Sequence, residues 1–222
     1  MSEFVHVKPV INKLLSSLTV EQREKAIELI KKNSDLFSKH DFDVDCTDYL
    51  TSSINTGDHL PTMELLHWHA HVYLDVIHKT VDKMTAANIV EPCVLEWAVI
   101  LVVVSKNDDQ GHPATPRITI DFWKLNTITY KDKYPISNTK DCLRSLSNVQ
   151  WLSSIDLSNS LFQVKIPDED CDKTAFVTRK GQFRLKCLAM GCCNSPRTFS
   201  HLMVMVISSL KCYLALLINW FY

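Results

Sequence analysis

Residues 173–222 contain neither aspartate nor glutamate, in a chain of 222 residues that carries 25 acidic residues before that point. Asp172 is the last of them. The absence excludes a carboxylate-built metal site, or a carboxylate acid–base pair, from that whole stretch. Cys-x-x-Cys pairs are lacking as well. Eight cysteines are present, at Cys46, Cys93, Cys142, Cys171, Cys187, Cys192, Cys193 and Cys212, and their spacing is irregular. Adjacent Cys192 and Cys193 suit neither a zinc knuckle nor an ordinary disulfide. Reduced thiols in an intracellular compartment, cytoplasmic or nuclear, are the simplest account. Met1 to Lys13 mixes acid, base and proline, so no secretory leader is expected there. Internal repeats and low-complexity tracts are also absent.

What remains is ordinary in bulk and uneven in distribution. Hydrophobic residues make up 46% and charged residues 22%, values of a globular protein with one substantial core or two small ones. The net charge of −1 points to no partner by itself. Residues 1–99 hold 9 Lys+Arg against 15 Asp+Glu, or −6, whereas residues 100–222 hold 15 against 10, or +5. A basic half beside an acidic half fits a polyanion-binding portion behind an acidic leader, or a chance asymmetry of two solvated surfaces. Leu202 to Tyr222 is apolar enough to raise a membrane-tethered reading. Lys211 near its middle costs roughly 2.5–3.5 kcal/mol at a bilayer centre, so a buried helix followed by a core strand, with no membrane, is the preferred account.

Thr19-Val20-Glu21-Gln22 is a capping-box pattern that predicts a helix bearing Ala26, Ile27 and Ile30 on one stripe. Asp41 to Asp58 is polar and acidic, a linker or extended arm ending in the turn signal Asn55-Thr56-Gly57-Asp58. A second helix is expected over Ala70 to Ala87, with Tyr73, Val76, Ile77, Val81 and Met84 on one face and Asn88 as a left-handed stop. The continuous apolar run Ala98 to Val104 reads as a buried strand, and the alternation in Arg117 to Phe122 as its partner across a hairpin at Asp108 to Pro116. A short helix near Asn138 to Leu146 precedes a strand at Leu152 to Asp156. Thr174 to Thr178 and Gln182 to Cys187 form a hairpin around Arg179-Lys180-Gly181, and a last helix runs from about Pro196 to Ser208. His67 and His71 stand four apart, but no carboxylate motif accompanies them and they read as a solvated helix start.

Three blocks carry chemistry in fixed order. The first is Arg117-Ile118-Thr119-Ile120-Asp121-Phe122-Trp123-Lys124-Leu125-Asn126, followed by Lys131-Asp132-Lys133-Tyr134-Pro135. The second is Trp151-Leu152-Ser153-Ser154-Ile155-Asp156-Leu157, an apolar run closed by a single carboxylate. The third is Gly191-Cys192-Cys193-Asn194-Ser195-Pro196-Arg197-Thr198-Phe199. Together they resemble the fingers and palm of reverse transcriptases from LTR retrotransposons of the gypsy type. The resemblance covers residues 50–210, and residues 1–45 match the spacer that precedes the polymerase in such polyproteins.

The resemblance implies an α+β fold: right-hand polymerase fingers and a truncated palm, behind an N-terminal helical or extended spacer. Residues 1–60 would be the spacer and 61–222 the fingers and palm, ending before a thumb. It implies RNA-directed DNA polymerisation with magnesium, acting on an RNA or DNA template-primer and deoxynucleotides. Asp156 takes the place of the first metal-binding and catalytic aspartate. Lys106 and Arg117 take the places that hold the triphosphate, tasks suited to a Lys point charge and an Arg fork. Leu161 stands where the family carries an aromatic ring that screens out ribonucleotides, Met190 where it has Phe, and Gly191 at the turn that touches template base and nucleotide sugar.

The second acidic pair is where this chain departs from the family. Cys212-Tyr213-Leu214-Ala215-Leu216-Leu217 resembles the Tyr-x-Asp-Asp strand across a gap of a few residues after Leu210, with Ala215 and Leu216 in place of both aspartates; without the gap the pair would fall near Trp220-Phe221, which are not acidic either. Two divalent ions that clamp an in-line displacement need two or three converging carboxylates. The chain is therefore expected to be a degenerate or truncated copy. The alternative is a non-catalytic module that binds nucleic acid or another Pol segment.

Overall fold

Thr19 starts the first long helix through two reciprocal bonds. Its hydroxyl accepts from the Gln22 N–H and the Gln22 side chain accepts from the Thr19 N–H, so the capping box forms as expected. Helix α1 (Lys8–Leu14) precedes α2 (Val20–Lys32), and a 3-10 turn, Ser34–Leu36, follows. Val7 and Ile30 are the buried apolar residues of this segment. It is the first of two compact units, residues 1–44, and residues 45–222 form the second. The computed structural model describes residues 4–14, 18–107, 113–136, 138, 140–141, 144, 147 and 155–208.

The second unit runs, in chain order, β1 (Thr47–Thr51), α3 (His71–Ala86), β2 (Val90–Cys93), β3 (Ile100–Asn107), β4 (Pro113–Asp121) and α4 (Trp123–Ile128). It continues with β5 (Val164–Lys165), α5 (Asp168–Cys171), β6 (Phe176–Thr178), β7 (Gly181–Leu185) and α6 (Ser195–Ile207). The acidic segment after Val44 is the extended-arm alternative, since β1 pairs in parallel with β5 and then Ser52, Ile54 and Thr56 are buried in alternation. Asp170 anchors it by accepting the Ile54 N–H at 2.8 Å. Residues 45–60 thus pack with the β-rich unit.

β3 and β4 make a long antiparallel hairpin, with a register irregularity between Val104 and Lys106. β4 already begins at Pro113, inside the segment read as a turn, because its backbone continues the ladder that pairs Lys106 with Ala114. β2, β7 and β6 form a three-stranded antiparallel sheet. The Val99 N–H donates to the Ala175 carbonyl at 2.8 Å and a bridge joins Val99 to Phe176, so the hairpin grows out of this sheet. Gly181, at φ 133°, makes the expected turn between β6 and β7.

α3 buries Leu74, Ile77, Val81 and Met84. The sequence stripe left out Leu74, which lies at its centre, while Tyr73 and Val76 flank it half-buried. Asn88 at φ 57° ends the helix as expected. Ile89, Val90, Val99, Phe176 and Leu185 are at or below 1% exposure, a core in which each large side chain contributes roughly 1.5–3 kcal/mol of burial. Among the described residues no helix is long and apolar enough to cross a membrane. Most of the apolar segment Leu202 to Tyr222 lies outside them.

Candidate functional site

The end of β4 and the turn before α6 meet. Gly191 takes φ 96°, which glycine adopts without cost, and a Cβ there would stand 3.4 Å from the Ile120 carbonyl and 3.5 Å from Phe122. Side chains close the contact from both directions. The Asn126 amide donates to the Gly191 carbonyl at 2.7 Å while its own oxygen accepts the Cys193 N–H at 2.8 Å. The Asn194 oxygen accepts the Asp132 N–H and its amide donates to the Tyr130 carbonyl, each at 2.9 Å. The Ser195 hydroxyl, fully buried, donates to the Ala189 carbonyl at 2.7 Å. Two asparagines thus bind the turn to the strand–helix segment 117–132 through backbone groups that would otherwise be orphaned.

Arg117 is exposed on β4 and its guanidinium donates to the Met190 sulfur at 2.7 Å. Arg117, Met190 and Gly191 are therefore brought together. Sulfur is a weak acceptor, so Arg117 keeps most of its five donors for a ligand. Burial pushes the Cys193 thiol up, and nearby Lys131 and Arg197 pull it the other way. Three cations, Arg117, Lys131 and Arg197, accordingly surround the Met190–Asn194 turn. Burial, with the adjacent Cys193 adding to it, pushes the neighbouring Cys192 thiol up to about 12, which keeps it neutral and inert. Asp121 accepts the Trp123 N–H at 2.8 Å just before α4, and Lys124 pairs with Glu64 at 3.3 Å. Trp123 is left 67% exposed beside this surface.

The remaining expected residues fall apart from this cluster or outside the described residues. Lys106 lies on β3 by its backbone. Leu161 does not face an open site: it packs half-buried against Val164, Leu188, Phe199 and Leu202. Asp156 is exposed, and Ile155 beside it is 85% exposed. The expected buried strand there is not seen at Ile155 and Asp156, because no described strand pairs with them, and residues 151–154 lie outside the described residues. Ala215 and Leu216 lie outside them too. His67 and His69 meet edge-to-face at 5.7 Å before α3 begins at His71, so His67 and His71 are not a helical pair. Among the described residues no three His, Cys, Asp or Glu side chains converge to hold a metal ion.

Asn126 and Asn194 were present in the blocks that the sequence singled out, but nothing marked them as positioning residues. Their signal is that both are half-buried amides in a loop-rich region, visible only once the turn is folded against α4.

Comparison with known proteins converges on one family. The reverse transcriptase (RNA-dependent DNA polymerase) family matches residues 104–219, just over half of the chain. The Pol polyprotein of transposon 297 from Drosophila melanogaster is 28% identical over 189 residues, covering 85% of this chain and 18% of its own length. An RNA-directed DNA polymerase homolog from Oenothera berteroana is 37% identical over 87 residues, covering 39% of this chain and 61% of its own. In structure, the prototype foamy virus protease–reverse transcriptase superposes with a TM-score of 0.83 at 19% identity, over 94% of this chain and 28% of that one. The chain spans less than a fifth of the length of the transposon 297 polyprotein.

Proposed function

The chain belongs to the reverse transcriptase (RNA-dependent DNA polymerase) family, as a reverse transcriptase region of an LTR-retrotransposon Pol protein, and we propose that by itself it binds nucleic acid without extending a primer. One observation carries the proposal: the family match runs to residue 219, and no acidic residue occurs after Asp172. Template-directed addition is in-line phosphoryl transfer, in which positioning and positive charge do most of the work. The family uses divalent metal, which we take to be magnesium, for the charge on the attacking and leaving oxygens. The residues of this chain do not fit that pair of ions. Asp156 offers one exposed carboxylate, and Ala215 and Leu216, which we assign to the positions of the acidic pair, offer none. Loss of one preorganised charge partner lowers rate by about 10²–10³, and two are missing here.

Binding rests on different residues. Arg117, Lys131 and Arg197 around the Met190–Asn194 turn present cations to a phosphate backbone, on a surface with Trp123 exposed beside it. The foamy virus enzyme, of the same fold, has been solved with an RNA/DNA hybrid and with double-stranded DNA. An RNA or DNA template-primer is therefore the proposed partner, with deoxynucleotides reaching Arg117. The compartment we propose is intracellular.

The test is a primer-extension assay with magnesium or manganese, run beside anisotropy titrations of a labelled RNA/DNA hybrid. We expect salt-sensitive binding and no added nucleotide. Template-dependent extension that disappears in Asp156→Asn would overturn the inactive reading, and absence of binding at low salt would overturn the binding one.

A further inference from the structure

Cys46 and Cys187 are separated by 141 positions in sequence, yet their sulfurs lie 3.5 Å apart, in van der Waals contact. We propose that they form a thiol-oxidation site, which closes to an intramolecular disulfide when the chain meets a small-molecule disulfide of the oxidised-glutathione class. A disulfide bond is about 2.05 Å long, so the sulfurs have only about 1.5 Å to close. Nothing in this proposal depends on nucleic-acid binding or polymerisation.

Access to the two sulfurs is unequal in the way that stepwise exchange requires. Cys46 is the exposed member of the described cysteines, and Cys187 is 2% exposed. Cys46 precedes β1, and Cys187 bridges to Lys165 on β5. The backbone on both sides is therefore held by ladder bonds. Lys165, fixed by Asp48 at 2.7 Å, is near enough to both sulfurs that each thiolate raises its pKa. Among the other described cysteines, Cys171 donates to the Ile166 carbonyl and Cys192 is buried.

The exchange balances as follows. The Cys46 thiolate attacks one sulfur of the oxidant, forming a mixed disulfide and releasing one small thiolate. The Cys187 thiolate then attacks the Cys46 sulfur, forming the Cys46–Cys187 bond and releasing the second small thiolate. Two protein thiols are oxidised, one small disulfide is reduced to two thiols, and the two protein protons end on those products. Burial pushes the Cys187 thiol up to about 12, so the second step is slow at neutral pH. The same burial makes Cys187 a poor leaving group, so the bond, once formed, resists small reductants.

The experiment uses the full reduced chain, incubated with oxidised glutathione and digested without reductant. We expect a Cys46–Cys187 linked peptide as the main oxidised product, preceded by a glutathione adduct on Cys46. Oxidation should raise the melting temperature by about 5–10 °C, reversibly with dithiothreitol, because a cross-link across so long a loop restricts the unfolded chain. Cys46→Ser, at an exposed position, should fold normally, show no such shift and keep Cys187 as a free thiol. Recovery of wild-type Cys187 as a free thiol after prolonged oxidation overturns the proposal. So does a linkage of either cysteine to Cys93, Cys192 or Cys193 instead, or an equal melting shift in Cys46→Ser.

Discussion

Asp170 is 6% exposed and accepts from two groups: the Ile54 N–H, at 2.8 Å, and the Lys173 ammonium. Lys173 donates to the Ile54 carbonyl as well, so one ion pair fastens the arm after β1 to α5. Removing the carboxylate leaves the Ile54 N–H without an acceptor and Lys173 without its counter-charge. Asp170→Ala should therefore cost about 3 kcal/mol, the scale for breaking a buried pair from one side. Asp170→Asn should cost less, since its amide oxygen still accepts the Ile54 N–H. Urea denaturation midpoints would measure both, and a loss under about 1 kcal/mol in the alanine variant would reject the account. At this scale the sequence was only partly legible. Arg117, Met190 and Gly191 could be picked out through the family resemblance, and they do meet. The clamps made by Asn126 and Asn194 could not, since an amide's role depends on which backbone groups the fold leaves open. Leu161 shows a related effect: position in a motif does not say which way a half-buried leucine packs.

Elements built from local signals were legible and those built from distant partners were not. The α2 cap, the Asn88 stop of α3, the Gly181 turn and the start of α6 at Ser195 all rest on backbone rules within a few residues. β1 rests on none of these. Thr47-Asp48-Tyr49-Leu50-Thr51 is half polar, and its extended form comes from pairing with β5, where Lys165 meets Asp48 across 117 positions. The Thr19 cap gives the element-scale prediction. Thr19→Ala removes one half of the box, and it should destabilise α2 by about 1 kcal/mol. The readout is hydrogen exchange at the first-turn amides of α2, which should speed about fivefold, while amides of β3 and β4 stay unchanged. Unchanged exchange at Gln22 and Arg23 would show that the cap does not hold the helix.

Charge is the property that only the whole molecule displays. The net value of −1 hides a basic C-terminal half at +5 and an acidic N-terminal half at −6. A phosphate backbone responds to the local field, not to the sum, so a near-neutral chain can still bind a polyanion. The fold brings Arg117 from β4, Lys131 from the loop after α4 and Arg197 from α6 to one turn, although up to 80 positions separate them in sequence. If these cations contact phosphates, binding of an RNA/DNA hybrid should weaken steeply with salt. Each phosphate neutralised contributes about −0.9 to the slope of log K against log salt, so three contacts predict a slope of about −2.5 to −3. Replacing Lys131 or Arg197 by alanine should lower the slope by about one and weaken all duplex sequences alike. Arg117→Ala should lower it too, and should weaken a deoxynucleoside triphosphate more than a long duplex, because a fork suited to a triphosphate is a small part of a long contact. Anisotropy titrations across a salt series measure all three variants. A slope that none of them changes would mean that the cations around the Met190–Asn194 turn are ordinary surface charges, and that the basic half meets nucleic acid elsewhere.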